Sequence, residues 1–269
     1  MSRHTKIVAT LGPASSTTEV LESLVQAGID VVRMNFSHGT VEDHIARATG
    51  IRAAAAKYGR TVGILGDLQG PKIRVGKFEG GKITLVPGEN FILDAQCPLG
   101  NQERVGLDYK DLPKDVVNGD ILLLDDGRLK LEVLGVRGRE IHTRVIVGGD
   151  LSNNKGINRQ GGGLTAPALT AKDMDDIKTA AQIGVDFVAV SFPKSAADMY
   201  MARQLLRAAG STAVLIAKIE RVEAITNLAE ILDASDGIMV ARGDLAVEVG
   251  DATVPALQKK MIRMARDKN

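Results

Sequence analysis

The run Val31-Val32-Arg33-Met34-Asn35-Phe36-Ser37 begins as an apolar strand and ends with a polar face. Side chains alternate sides along a strand, so Arg33, Asn35 and Ser37 share one face while Met34 and Phe36 share the other. A parallel strand covered on both sides should be apolar throughout. The departure recurs along the chain. Lys218 and Glu220 flank Ile219, Arg242 and Asp244 repeat the spacing after Val240, Asp67 closes a third run, and Ser191 marks a fourth. All fall at expected C-terminal strand ends, where barrel enzymes carry their chemistry.

Around these strands, helix-like and strand-like patterns alternate. Ile7 to Leu11 reads as a strand ending at Gly12-Pro13. Ser16 and Glu19 have capping-box spacing ahead of a helical face of Val20, Leu21, Leu24 and Val25, which Gly28 stops. Strand 31–37 is followed by helix 41–58 and strand 62–68. The rhythm resumes with helices expected over 170–183, 196–209 and 222–232, strands over 185–192, 213–220 and 237–245, and a last helix near Pro255. Gln26 to Val32 echoes Gln182 to Val188, each reading as a helix end, a glycine cap and a new strand.

Between Lys72 and Gly163 the helical period disappears. Leu129, Leu131 and Val133 alternate with Lys130, Glu132 and Leu134 after an Asp126-Gly127 turn, and Ile141, Thr143, Val145 and Val147 repeat the alternation. The expected class is therefore α/β: an incomplete (β/α)8 TIM barrel of about six βα units, with a small antiparallel β domain inserted after strand three. The expected division is 1–70 barrel, 71–165 insert and 166–269 barrel. An open doubly wound sheet is the alternative, but no glycine-rich dinucleotide fingerprint follows strand one.

Composition narrows the function. The 269 residues hold 34 Lys+Arg against 33 Asp+Glu, so no basic excess marks a nucleic-acid surface. Trp is absent and aromatics are 3%, which leaves few base-stacking platforms. The single cysteine, Cys97, excludes an intramolecular disulfide and a multi-thiolate metal site. No signal core opens the chain and no apolar run reaches the roughly 20 residues of a membrane helix, so a cytoplasmic protein is expected.

Glu220 and Asp244 are hard oxygen donors, and Mg²⁺ or Mn²⁺ needs only one or two carboxylates beside waters and substrate oxygens. Lys218 shares a face with Glu220 and would place an ammonium beside that ion, suited to an enolate oxygen or a phosphoryl group in transfer. Arg33 offers a fork for phosphate oxygens. A purely structural ion-pair network of Lys218, Glu220, Arg242 and Asp244 would leave Arg33 and Asp67 unexplained.

At these residues the chain resembles the pyruvate kinase family. The matching stretches are 6–15, 32–39, 66–74, 154–158, 217–220 and 239–245, which run from end to end in the family's order. The resemblance implies a barrel with a mobile β lid and transfer of phosphate from phosphoenolpyruvate to ADP. It casts Arg33 as the grip on the transferred group and Lys218 as the transition-state stabiliser. Glu220 and Asp244 match the metal ligands, and the Gly243-Asp244 backbone the substrate-carboxylate site. Arg74 and Lys155 match nucleotide-phosphate contacts. Asn35, Ser37, Asp67 and the Leu68 carbonyl occupy the family's K⁺ position. Leu68 and Lys72 depart from the usual Thr and Glu there and resemble the branch that does not require K⁺, a lysine ammonium standing in for the ion. Arg159-Gln160 and Ala246 are smaller departures.

Family members continue past helix 254–266 into a seventh and an eighth strand and a C-terminal domain, and they form homo-oligomers. None of those elements lies within these 269 residues, so a fragment of doubtful activity is expected. Two other readings stay open: a non-catalytic chain that binds Mg²⁺ or nucleotide or needs a partner to complete the barrel, and a Mg²⁺-dependent pyruvate-type aldolase.

Overall fold

The computed structural model describes residues 4–268. Its first βα units are β1 (Val8–Leu11), α1 (Thr18–Ala27), β2 (Val31–Asn35), α2 (Val41–Lys57) and β3 (Gly63–Asp67). An insert follows: β4 (Lys82–Leu85), β5 (Asn90–Asp94), β6 (Arg104–Val105), α3 (Leu112–Asp115), β7 (Ile121–Leu124), β8 (Leu129–Arg137), β9 (Glu140–Val147), β10 (Gly149–Ser152) and β11 (Ile157–Arg159). The chain then returns through α4 (Ala171–Ile183), β12 (Phe187–Val190), α5 (Ala196–Ala208), β13 (Val214–Ile219), α6 (Val222–Thr226), α7 (Leu228–Ala234), β14 (Gly237–Val240), α8 (Arg242–Val249) and α9 (Val254–Asp267).

Six strands form a parallel sheet in the order β1-β2-β3-β12-β13-β14, so each unit adds one strand beside the last. This is the expected α/β half-barrel. The insert interrupts the chain between neighbouring strands β3 and β12 without disturbing their pairing. Helices pack on the outer face, and the core lies between them and Val32, Met34, Phe36, Ile64, Val188, Val190, Leu215, Ala217 and Ile219. The alternate positions face the concave side, which is where Arg33, Asn35, Asp67 and Lys218 stand. Helix ends enforce the repeat. Gly28 and Gly184 both cap in the left-handed conformation, φ 93° and 69°, which a Cβ would resist.

The insert has its own core around Phe91, Leu93, Leu122, Leu131, Val133 and Ile141. Its main sheet runs β11-β7-β8-β9-β5-β6, with a two-stranded β10-β4 ribbon beside it. The expected alternation holds in β8 and β9, where Leu129, Leu131, Val133, Ile141, Thr143 and Val145 are buried, but Val147 is exposed. One pair, β5 with β6, is parallel, so the insert is not wholly antiparallel.

Several local expectations need correction. Helix α1 is capped by Thr17, whose hydroxyl accepts from the Val20 N–H, while Ser16 instead donates to the Gly12 carbonyl. The single helix expected over 222–232 is two, broken at Asn227, whose side-chain amide donates to the Lys194 carbonyl. Strand β14 ends at Val240, not Leu245, and Arg242 begins a helix. No helix among the described residues is long and apolar enough to cross a membrane.

Candidate active site at the barrel mouth

Asp67 ends β3, Lys218 lies near the end of β13, and Glu220 and Ser191 follow just after β13 and β12. Parallel pairing brings all four to the same end of the sheet. The Lys218 ammonium donates to Ser191 Oγ at 2.7 Å and lies 2.9 Å from Glu220 Oε1 and 3.1 Å from Asp67 Oδ1. Ser191 Oγ in turn donates to the Leu68 carbonyl at 2.7 Å. On the other side of Asp67, Arg33 Nε and Nη2 both meet Oδ2 at 2.6 Å, and Nη1 donates to Thr10 Oγ1 at 3.1 Å. Asp67 therefore holds one cation on each oxygen and orients both.

These charges are buried, Asp67 and Glu220 each 1% exposed. Burial pushes the Glu220 carboxyl up to about 7, against the pull of Lys218 and the Phe192 N–H, and the negative charge of Asp244 adds to the rise. Burial alone would pull the Lys218 ammonium down, but the Glu220 and Asp67 carboxylates outweigh it and hold its pKa above the ordinary lysine value. A carboxylate kept out of water beside a second one is poised for a cation. No group of three His, Cys, Asp or Glu that could hold a metal occurs among the described residues. Glu220 and Asp244 have the donor chemistry Mg²⁺ or Mn²⁺ takes, hard carboxylate oxygens supplemented by water and substrate oxygens, and here the two Glu220 oxygens meet the Lys218 ammonium and the Phe192 N–H.

Asp244 reaches this region from the first turn of α8, not from a strand. Its period-two spacing with Arg242 is therefore coincidental, and Arg242 is exposed. The helical setting adds something a strand end lacks. The N–H groups of Arg242, Gly243 and Asp244 belong to a helix first turn, and such groups favour anions. A cleft of about 1100 Å³ opens here between α8–α9 and the insert, lined by Gly243, Asp244 and Arg242 on one side and Asp126, Lys130 and Gln160 on the other.

Lys72 also lines that cleft. No hydrogen bond or ion pair joins its side chain to Asn35, Ser37 or Asp67 among the described residues. Asn35 Oδ1 accepts the Ser37 N–H at 3.1 Å, a local turn bond, and the Leu68 side chain is buried in the barrel core. Arg74 and Lys155 lie on the insert, outside the Lys218 cluster. The Lys155 ammonium pairs with Asp125 Oδ1 at 2.7 Å, and the charge of Arg74 acts on Asp108, whose carboxylate accepts the Arg74 N–H at 2.7 Å.

Three participants escaped the sequence pattern. Thr10 is legible in hindsight, because it alternates with Ala9 and Leu11 on β1. Phe192 is not: its backbone N–H donates to Glu220 Oε2 at 2.9 Å, from a left-handed conformation with φ 56°. Arg221 directly follows Glu220 and is buried under the Phe192 ring.

Successive βα units with acidic and basic side chains gathered at the C-terminal ends of the parallel strands are the arrangement of α/β-barrel proteins. The model of the pyruvate kinase barrel domain matches residues 2–269. The chain belongs to the pyruvate kinase family. It is 59% identical to "Pyruvate kinase" of Haemophilus influenzae and 57% identical to "Pyruvate kinase II" of Salmonella typhimurium, in each case over 272 residues, 99% of this chain and 57% of the relative. It is 45% identical over 267 residues to "Pyruvate kinase" of Mycobacterium tuberculosis, again 99% of this chain and 57% of the relative. The chain thus spans just over half the length of the curated relatives it matches.

Proposed function

We propose that this chain carries the phosphotransferase site that moves a phosphoryl group from phosphoenolpyruvate to ADP, giving pyruvate and ATP. The observation that carries this reading is the buried Lys218 ammonium, within 3.1 Å of Asp67 and 2.9 Å of Glu220 at the barrel mouth. Glu220 and Asp244 would hold Mg²⁺ or Mn²⁺, which supplies a Lewis acid for substrate oxygens. Arg33, oriented by Asp67, forks onto the phosphoryl oxygens. As the bond from phosphorus to the enol oxygen breaks and the bond to the terminal ADP oxygen forms, Lys218 faces the enolate oxygen left behind. A proton from solvent then adds to the terminal enolate carbon, giving pyruvate. The first-turn N–H groups of Gly243 and Asp244 hold the substrate carboxylate.

Residues 71–165 act in this reading as a lid that swings about Gly70 and the run Gly161 to Gly163. Closure would bring Arg74 and Lys155 onto the nucleotide phosphates, Lys155 exchanging Asp125 for phosphate, and would exclude water. Asn35, Ser37, Asp67 and the Leu68 carbonyl form the monovalent-cation position, and Lys72 replaces K⁺ when the lid is closed. Exchange of K⁺ for tetramethylammonium then leaves turnover unchanged. A homo-oligomer in the cytoplasm completes the proposal.

The test is pyruvate formation with phosphoenolpyruvate, ADP and Mg²⁺, measured on the chain and on Lys218→Met. Removing one such donor should lower turnover by about 10²–10³. Turnover that ignores ADP, full activity in Lys218→Met, or cleavage of a pyruvate aldol adduct instead would overturn this reading. Metal binding without any turnover would mark the chain as a binding module.

A further inference from the structure

Arg221 is 4% exposed, an expensive position for a guanidinium unless something uses it. Its Nη1 is buried and has no hydrogen-bond partner among the described residues. Its guanidinium carbon stands 5.6 Å from the centre of the Phe192 ring, within reach of a cation–π attraction. Glu248 is buried nearby, its carboxyl raised by burial and held back in part by the Arg221 charge. Glu248 Oε2 accepts the Val222 N–H at 3.0 Å, so that carboxylate is pinned to the same loop.

Phe192 needs holding. A bulky side chain at φ 56° persists only where its surroundings fix it. Gly70 stands against it, where an added Cβ would lie 2.9 Å from the ring Cδ2. The ring thus has Gly70 and the Arg221 guanidinium as neighbours, and the N–H of the same residue meets Glu220 Oε2. Glu248 lies one helical turn after Asp244 on α8. Arg221 therefore lies over the residue whose N–H holds Glu220, and Glu248 ties α8 to Val222, the residue after Arg221.

We propose that Arg221 is a positioning residue that clamps the Phe192 ring and thereby fixes the Glu220 carboxylate, which the Phe192 N–H holds. This rests on the metal reading given under the proposed function. The planar guanidinium suits the task because it can stack on an aromatic face. A lysine could keep the charge but not the stacking plane.

The decisive experiment is a double-mutant cycle on the full chain with Arg221→Met, Phe192→Leu and the pair, plus Arg221→Lys. Free Mn²⁺ is read by electron paramagnetic resonance without nucleotide, and exchange of the Phe192 amide is read by NMR without metal. Arg221→Met should weaken Mn²⁺ binding about 10-fold or more, as loss of outer-shell support does, and speed exchange at Phe192. Arg221→Lys should recover part of both, and the double variant should be no worse than the poorer single one. Unchanged Mn²⁺ affinity and unchanged exchange in Arg221→Met, or effects that multiply in the double variant, would overturn the proposal. If Arg221→Met does not fold, Arg221→Lys with Phe192→Leu closes the same cycle. A wild-type chain that binds no Mn²⁺ overturns the metal reading itself, and the amide exchange still tests the clamp.

Discussion

The barrel mouth and the insert use the same local pattern for opposite ends. In the insert, Lys130 and Glu132 alternate with buried Leu129, Leu131 and Val133, and Glu132 meets Arg144 across the β8–β9 pair at 2.7 Å in a partly solvated position. At the mouth, Lys218 and Glu220 alternate with buried Ala217 and Ile219, and both are buried as well. A polar residue at every second position therefore marks a solvent face in one region and a site in the other. What separates them is whether the second face of the sheet is wet. The concave face of a barrel strand is not, so a charge there must be answered by another charge, a metal or a substrate.

The sharpest way to break this contrast is to remove one charge from each region. Lys218→Met leaves Asp67 and Glu220 facing each other without their shared cation, and should cost about 3–5 kcal/mol in urea unfolding at pH 7. An equal result for Arg144→Met on the insert, which removes the partner of Glu132, would erase the distinction.

Acidity probes the same difference. The Glu220 carboxyl rises from 4.5 unfolded to about 7 folded, so the folded state holds its proton where the unfolded state has lost it. This stability is complete below pH 4.5 and is lost as pH rises through about 7, a total of about 3 kcal/mol for the metal-free chain. Glu220→Gln should flatten that part of the pH profile, and Mg²⁺ should release protons on binding near pH 7. A profile identical to wild type would show that Glu220 is not strained by burial.

Gly70→Ala should cost about 1–3 kcal/mol, because φ is 67° there and the added Cβ would meet Ser191 Cβ at 2.8 Å. The change acts at the seam between the two regions, so a thermal melt should show the barrel weakened. The smallest effect is expected for Glu132→Ala, under about 1 kcal/mol, since a surface pair in high dielectric gains little. A larger loss would mean that the insert also relies on its charges.

Much of this was legible beforehand. Apolar residues at alternate positions of β2 and β13 fixed the core face, and the polar ones between them pointed to Arg33, Asn35, Lys218 and Glu220. The reading failed where two conformations share a spacing. Arg242 and Asp244 look like strand alternation, but Ala241 is followed by a helix, and only packing of α8 against the barrel selects it. The Ser16 cap failed for a similar reason, since Thr17 one residue later offers the same hydroxyl.

By itself the sequence determined which face of each strand meets the helices, the alternation of βα units, and the family to which the chain belongs. These are properties of neighbouring residues, set by strand and helix periods and by burial of apolar side chains. Tertiary structure alone decided that Asp67 is shared by Arg33 and Lys218, that a left-handed Phe192 turns its N–H onto Glu220, and that Asp244 arrives on a helix. Those outcomes depend on strand order and on contacts between residues far apart in the chain, which no local period encodes.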